Sequence, residues 1–225
     1  MLRLVFTMGD SNIGADAITM NLEICIPTLG RARQLGRAIG SIYAQEVPCK
    51  VSVAIMTEPE ALTTSVNNLC SERASTTDVV MVLADDIELK EGCLAAVMSE
   101  FQKAEDLDKC VGLCQSNIQF YSQVTEHAFW AAGRLFMDGL LWQPFCPDYY
   151  HFSADTELGE YARWTGRFVY RADAKLTHYH PDASAEKRDA THAASRIRQD
   201  IDAETRGERK RRGLVWGKTF DRVKP

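Results

Sequence analysis

From Leu22 onward, short apolar runs alternate with segments whose apolar residues recur at helical spacing. LEICIP (22–27) is a brief apolar run with β-branched residues, the mark of a buried strand. After a Thr-Leu-Gly-Arg turn, Leu35, Ile39, Ile42 and Tyr43 line one helical face. KVSVAIM (50–56) reads as a second strand, and Pro59 suits the first turn of a helix running to about Arg73. DVVMVLA (78–84) is a third buried strand and ends on Asp85-Asp86. Leu94, Val97, Met98 and Phe101 share one face of a helix between Glu91 and Lys103, and CVGLC (110–114) is a fourth strand. Strands separated by single helices form βαβ units, so the pattern predicts an α/β, Rossmann-like domain with a mostly parallel central sheet flanked by helices. Ligands of such sheets bind beyond the carboxyl ends of the strands. PTLGR, TEPE and ADD sit at those ends.

The second half is irregular. Residues 117–152 are rich in aromatics, with Trp130 and Trp142 the largest. SADTELGEYARWTG predicts a helix, with Ser153 or Asp155 as cap and Gly166 closing it. FVYRADAKLTHYHP is extended chain, and Ala190, Ala193, Ala194, Ile197 and Ile201 form an apolar stripe on a final helix. Residues 1–19 join a strand-like LRLVF to a loop-like GDSNIGAD, so they are either part of the fold or a loose extension. These patterns divide the chain into an extension (1–19), a domain (20–182, with halves 20–115 and 116–182), and a C-terminal helix with a basic tail (183–225).

With 225 residues and 45% hydrophobic content, the chain can bury a full core without disulfide staples. Its seven cysteines are odd in number, lack C-x-x-C spacing and lie mostly in apolar runs, which predicts reduced thiols and a cytoplasmic protein. The LVF stretch near the N-terminus is too short for a signal-peptide core, and no run reaches the ~18 apolar residues that span a bilayer, so no membrane insertion is expected. The net charge of −5 gives no bulk attraction to nucleic acid. Residues 186–225 nevertheless hold 12 Lys and Arg against 7 Asp and Glu. Their RGERKRR cluster (206–212) is either a solvated helix face or a contact for phosphates, including those of a nucleic acid.

Three places offer chemistry. Asp85 and Asp86 are adjacent acids at the end of a buried strand; they repel each other and favour a hard cation, unless they only cap the next helix. Asp155 stands at a helix start, as a cap or as a base. His178 and His180, two apart on extended chain, put both rings on one face and can chelate, or are structural.

In this order the segments resemble family-2-type glycosyltransferases of the GT-A fold. EICIPTLGRARQLGRAIGSIYAQ is similar to the family's opening, through Ile26, Pro27, Thr28, Arg31, Leu35, Ala38, Ile39, Ser41, Ile42 and Gln45. VVMVLADDIEL with the following GCL resembles its metal-binding acidic motif, SADTELGEYARWTG its catalytic carboxylate segment, and AKLTHYH the segment that carries a metal-binding His. The match covers about residues 22 to 180. The resemblance implies a hexosyltransferase using a nucleotide-sugar donor and a divalent metal, Mn²⁺ or Mg²⁺. Residues 20–115 would be the nucleotide-sugar half and 116–182 the acceptor half. It gives Asp86 and His178, with His180 as fallback, to the metal and Asp155 to the general base. Pro27, Thr28, Arg31, Asn68 and Asp85 fall to the nucleotide or sugar. The usual Asp-x-Asp has Ala84 in its first position, Ala154 replaces the usual Glu beside the base, and Thr57 and Glu58 stand where the family often reads the base with an Asp.

Sugar transfer needs the leaving diphosphate neutralised and the acceptor hydroxyl deprotonated, by a metal and a carboxylate respectively. One base opposite the leaving group predicts inversion. Trp130 and Trp142 are candidates to stack on sugar or base. A glycan-type acceptor is favoured, with a polyanion such as modified bases in DNA as the alternative. A nucleotidyltransferase of related fold, a metal-dependent hydrolase built on Asp85, Asp86, His178 and His180, and a non-catalytic binding module also remain open.

Overall fold

The structure, a computed structural model, describes residues 6–7, 20–47, 49–57, 61–102, 106–117, 128–180 and 190–217. Pro59, Phe120, Tyr121, the end of the basic tail and all of residues 1–19 except Phe6 and Thr7 lie outside them.

The strands are β1 (Phe6–Thr7), β2 (Asn21–Pro27), β3 (Lys50–Met56), β4 (Val79–Val82), β5 (Ile87–Leu89), β6 (Cys110–Gln115), β7 (Trp130–Gly133) and β8 (Phe168–His178). The helices are α1 (Ala32–Tyr43), α2 (Leu62–Ser71), α3 (Cys93–Gln102), α4 (Arg134–Gly139), α5 (Ala154–Trp164) and α6 (Ala190–Arg211). One sheet holds the strands in the order β1-β3-β2-β4-β7-β6-β8-β5.

The expected βαβ winding forms the parallel unit β3-β2-β4. Beyond it the sheet is mixed. β7 runs antiparallel to both β4 and β6, β8 lies parallel to β6, and β5 pairs antiparallel with the end of β8. The short β5 and β7 bring in the antiparallel pairs, and strands of three or four residues carry too little periodicity to be read from sequence. A register shift between Leu113 and Cys114 makes β8 bulge between Arg171 and Lys175. β8 pairs with β6 on both sides of this bulge, and its last residues, 176–178, also pair with β5 on their other edge.

Each face of the sheet has its own core. One gathers Leu22, Ile24, Ile26, Ile42, Val97 and Phe101 under α1 and α3. The other gathers Val66, Trp130, Phe136, Trp142, Phe145 and Tyr161 with α2, α4 and α5. Gly133 sits where β7 meets α4, and a Cβ there would come within 2.3 Å of the Leu107 carbonyl oxygen, so only glycine fits. Gly166, at φ +72°, closes α5 as its sequence predicts. All seven cysteines are free thiols and six are buried. Burial pushes Cys49, Cys93, Cys110 and Cys146 up to about 12, so they act as packing groups.

On α6, Ile197 and Ile201 of the apolar stripe are 77% and 49% exposed. One expectation fails. Trp130 and Trp142 are only 1% and 5% exposed, packed in the second core, so neither offers a face to a sugar. Trp130 stands edge-on to Phe145, and the Trp142 indole N–H donates to Asp138.

Candidate functional site

The parallel pairing of β2 with β3 and β4 sets the carboxyl ends of three strands side by side. Pro27 ends β2 opposite Met56, and the Thr28 N–H continues the ladder to the Met56 carbonyl at 2.8 Å. The Thr28 hydroxyl donates to Asp85 and accepts the Gly30 N–H at 3.1 Å, at a turn that Gly30 makes with φ +84°. Arg31, at the start of α1, lays its guanidinium across both acids. Nε is 3.1 Å from Asp85 Oδ2, Nη2 contacts Asp85 Oδ1, and Nη2 is 3.2 Å from Asp86 Oδ2.

His178 reaches this edge from the far end of the chain because β5 begins directly after the acids. Ile87 pairs with His178, and the Asp86 carbonyl accepts the Tyr179 N–H at 2.8 Å. The result sets His178 Nε2 3.1 Å from Asp86 Oδ1. The Asn117 side chain pins the His178 backbone at both its N–H and its carbonyl, and Phe129 packs edge-on against the ring at 5.0 Å. The His180 ring lies 5.4 Å from that of His178.

Asp86 is almost wholly buried, and burial alone would raise its pKa. The hydrogen bond and charge of His178 outweigh it, helped by Arg31 and then His180, and hold the carboxyl well below the usual carboxylate range. It is an anion at any physiological pH.

Asp155 sits in the first turn of α5, half-buried. Ser153, before the helix, is left-handed at φ +69° and makes no side-chain cap. Asp155 Oδ1 accepts the Thr156 N–H at 2.8 Å. The nearby His151 is under opposed influences: burial lowers its pKa, helped by Arg198, while the carboxylates of Asp155, Asp202 and Asp86 act to raise it, and burial prevails. Asn68 is exposed on α2, whereas its neighbour Asn67 is buried and ties both its amide groups to the Phe145 backbone.

The structure therefore brings Pro27, Thr28, Arg31, Asp85, Asp86, His178 and His180 to one edge, and places Asp155 in the first turn of α5. Sequence reasoning missed Asn117 and His151. Neither lies in a patterned segment: Asn117 contacts a residue 61 positions away, and the charges around His151 come from other parts of the chain.

Among the described residues no set of three His, Cys, Asp and Glu donors is gathered to hold a metal alone. The pair Asp86–His178 still fits a divalent cation. Two neighbouring ligands of an octahedral ion, bound at about 2.1 Å, lie about 3.0 Å apart, close to the 3.1 Å observed. Mg²⁺-like ions are commonly held by one or two protein ligands, with water and substrate phosphates supplying the rest.

No protein-family model matches the sequence, and no curated protein matches it either. Solved structures do. The mannosyltransferase PcManGT from Pyrobaculum calidifontis, in complex with GDP-Man and Mn²⁺, aligns at TM-score 0.58 and 16% identity over 87% of this chain and 65% of its own. TarS from S. aureus, in complex with UDP-GlcNAc, aligns at 0.55 and 9% over 78% of this chain and 61% of its own. The catalytic domain of Drosophila β1,4-galactosyltransferase 7, in complex with xylobiose, aligns at 0.53 and 10% over 80% and 81%. The chain has the GT-A fold. It spans less than two thirds of the length of the first two neighbours.

Within the GT-A fold, the edge that carries Asp86 and His178 is the carboxyl edge of the parallel strands, where α/β sheets bind ligands. Within the basic cluster, Arg206 pairs with Glu160, Arg209 with Glu157 and Asp148, and Arg211 with Glu208. The cluster gives no support to a nucleic-acid contact. No helix among the described residues is long and apolar enough to cross a membrane.

Proposed function

We propose that the protein is a metal-dependent glycosyltransferase, moving a hexose from a nucleotide-sugar donor to a hydroxyl of a saccharide acceptor with inversion at the anomeric carbon. The observation that carries this reading is the Asp86 carboxylate and His178 imidazole, 3.1 Å apart at the carboxyl edge of the parallel strands in a GT-A fold. Asp86 and His178 hold the cation, Mn²⁺ or Mg²⁺, and His180 stands beside them. When bound, the ion neutralises charge on the departing diphosphate. Thr28, Arg31 and Asp85 form the adjoining cradle, where Arg31 is the positive group next to the diphosphate.

Asp155 is the general base. It takes the proton of the acceptor hydroxyl as the hydroxyl oxygen bonds to the anomeric carbon. The bond from that carbon to the phosphate oxygen breaks, and the nucleoside diphosphate leaves with the electron pair. A single base facing the side opposite the leaving group yields inversion.

The test is incubation with Mn²⁺ and a panel of GDP-mannose, UDP-N-acetylglucosamine and UDP-galactose, the donor types bound by the structural neighbours. Released GDP or UDP is the readout, with and without saccharide acceptors such as xylobiose. Metal-dependent release from at least one donor, faster with acceptor, is the expected result. Release of pyrophosphate from a nucleoside triphosphate instead would replace this reading with nucleotidyl transfer.

A further inference from the structure

α6 is a long helix whose two isoleucines, Ile197 and Ile201, are exposed, so burial of these side chains does not explain where it sits. Among its described side chains only Asp202 and Arg209 are buried, at 0% and 8% exposure. They stand seven residues apart, two turns along one face of the helix. Both grip the same stretch of chain. Asp202 accepts three consecutive backbone N–H groups: Tyr150 at 2.8 Å on Oδ1, and His151 at 2.8 Å and Phe152 at 2.7 Å on Oδ2. Arg209 reaches Asp148 at 2.8 Å through Nη1 and Glu157 at 3.0 Å through Nη2. Arg198 lies over the Tyr150 ring, and Arg206 pairs with Glu160 one turn further along α5.

The stretch held this way, 148–157, contains His151, the left-handed Ser153 and Asp155. A left-handed conformation at a non-glycine residue persists only when its surroundings over-determine it. Here the three N–H groups immediately before Ser153 converge on one buried carboxylate, and charge-assisted bonds of this length are the strong kind.

We propose that α6 is a splint that fixes Asp155 relative to the Asp86–His178 edge, with Asp202 as the positioning residue. This rests on the reading of Asp155 as the base. Asp202 touches neither donor nor acceptor; it acts by locking the backbone that leads into α5. Loss of the lock misplaces the base and leaves nucleotide binding untouched, because the cradle belongs to β2, β4 and β8.

The experiment compares wild type, Asp202→Ala, Asp202→Asn, Asp155→Ala and the Asp155→Ala/Asp202→Ala double variant of the full chain. It reads amide hydrogen exchange at Tyr150, His151 and Phe152, the Kd of GDP and UDP with Mn²⁺, and donor turnover. In Asp202→Ala the three amides exchange at least about tenfold faster. Turnover falls about 10²-fold, the scale of an ångström-sized misplacement, and the Kd stays within about twofold. Asp202→Asn keeps two acceptor lone pairs and recovers part of both losses, and it serves alone should Asp202→Ala not fold. The double variant is no slower than Asp155→Ala. Unchanged amide exchange, unchanged turnover in Asp202→Ala, or a double variant slower than Asp155→Ala by the full Asp202 factor overturns the splint. Wild-type turnover in Asp155→Ala overturns instead the assignment of the base, a separate failure visible in that variant alone.

Discussion

Two groups of buried charge in this chain are built in opposite ways. In the C-terminal group, every buried carboxylate has hydrogen-bond donors fixed around it: Asp202 by three backbone N–H groups, Glu157 by Arg209 and the Trp216 N–H. At the sheet edge, two adjacent acids crowd together with Arg31 as the guanidinium shared between them. The first arrangement ties elements together. The second places two like charges side by side, and such local violations are expected at functional sites. The difference teaches that burial of charge alone does not locate a site; two adjacent acids sharing one guanidinium at the carboxyl edge of a parallel sheet do.

Several variants sharpen or break this contrast. The largest effect is expected from Asp155→Ala, which loses donor turnover by about 10²–10⁴-fold, the range of a general base, while its Mn²⁺-dependent nucleotide Kd is unchanged. Steady-state turnover alongside calorimetric titration separates the two. Next, Arg209→Met leaves Glu157 buried without its cation and costs about 3–5 kcal/mol of stability in urea denaturation. Asp85→Asn relieves a like-charge pair but also removes the carboxylate that Arg31 and Thr28 hold; the two effects oppose, so its stability loss is smaller than that of Arg209→Met. Equal losses in the two would show that the groups do not differ in kind.

Trp130→Ala belongs to the core and costs about 3–5 kcal/mol, yet leaves donor KM unchanged. A raised KM with intact stability would restore it as a sugar platform. The smallest effect concerns His151. Its pKa in the folded chain is lowered, so below the ordinary value of 6.5 the unfolded state binds the extra proton first. Stability then falls as the pH drops below about 6.5 and levels off beneath the folded pKa. The His151→Gln variant lacks that component, and denaturation midpoints compared at several pH values detect it.

Much of this architecture is legible in the sequence. The runs at LEICIP, KVSVAIM and DVVMVLA become β2, β3 and β4, and the Leu35–Tyr43 and Leu94–Phe101 patterns become α1 and α3, because each is long enough to show its period. Asp85-Asp86 stands out for the same reason, as two acids directly after a buried run. What stays hidden depends on distant partners. The Ile87–His178 register that brings imidazole to acid joins residues 91 positions apart, through a strand of three residues. Asp202 is one acid on a polar helix, and nothing nearby signals the three amides it receives from about 50 residues away. The aromatics at 130 and 142 misled because a large ring suits a core as well as a sugar.

The central claim is that Asp86 and His178 hold a divalent cation that links the chain to a nucleotide diphosphate. Thermal unfolding with GDP and UDP, each with and without Mn²⁺, on wild type and Asp86→Ala tests it directly. Nucleotide and metal together should raise the wild-type midpoint well beyond either alone, since a ligand that binds only the folded state stabilises it by mass action, and the rise should vanish in Asp86→Ala. An equal rise in both proteins, or one that needs no metal, contradicts the account.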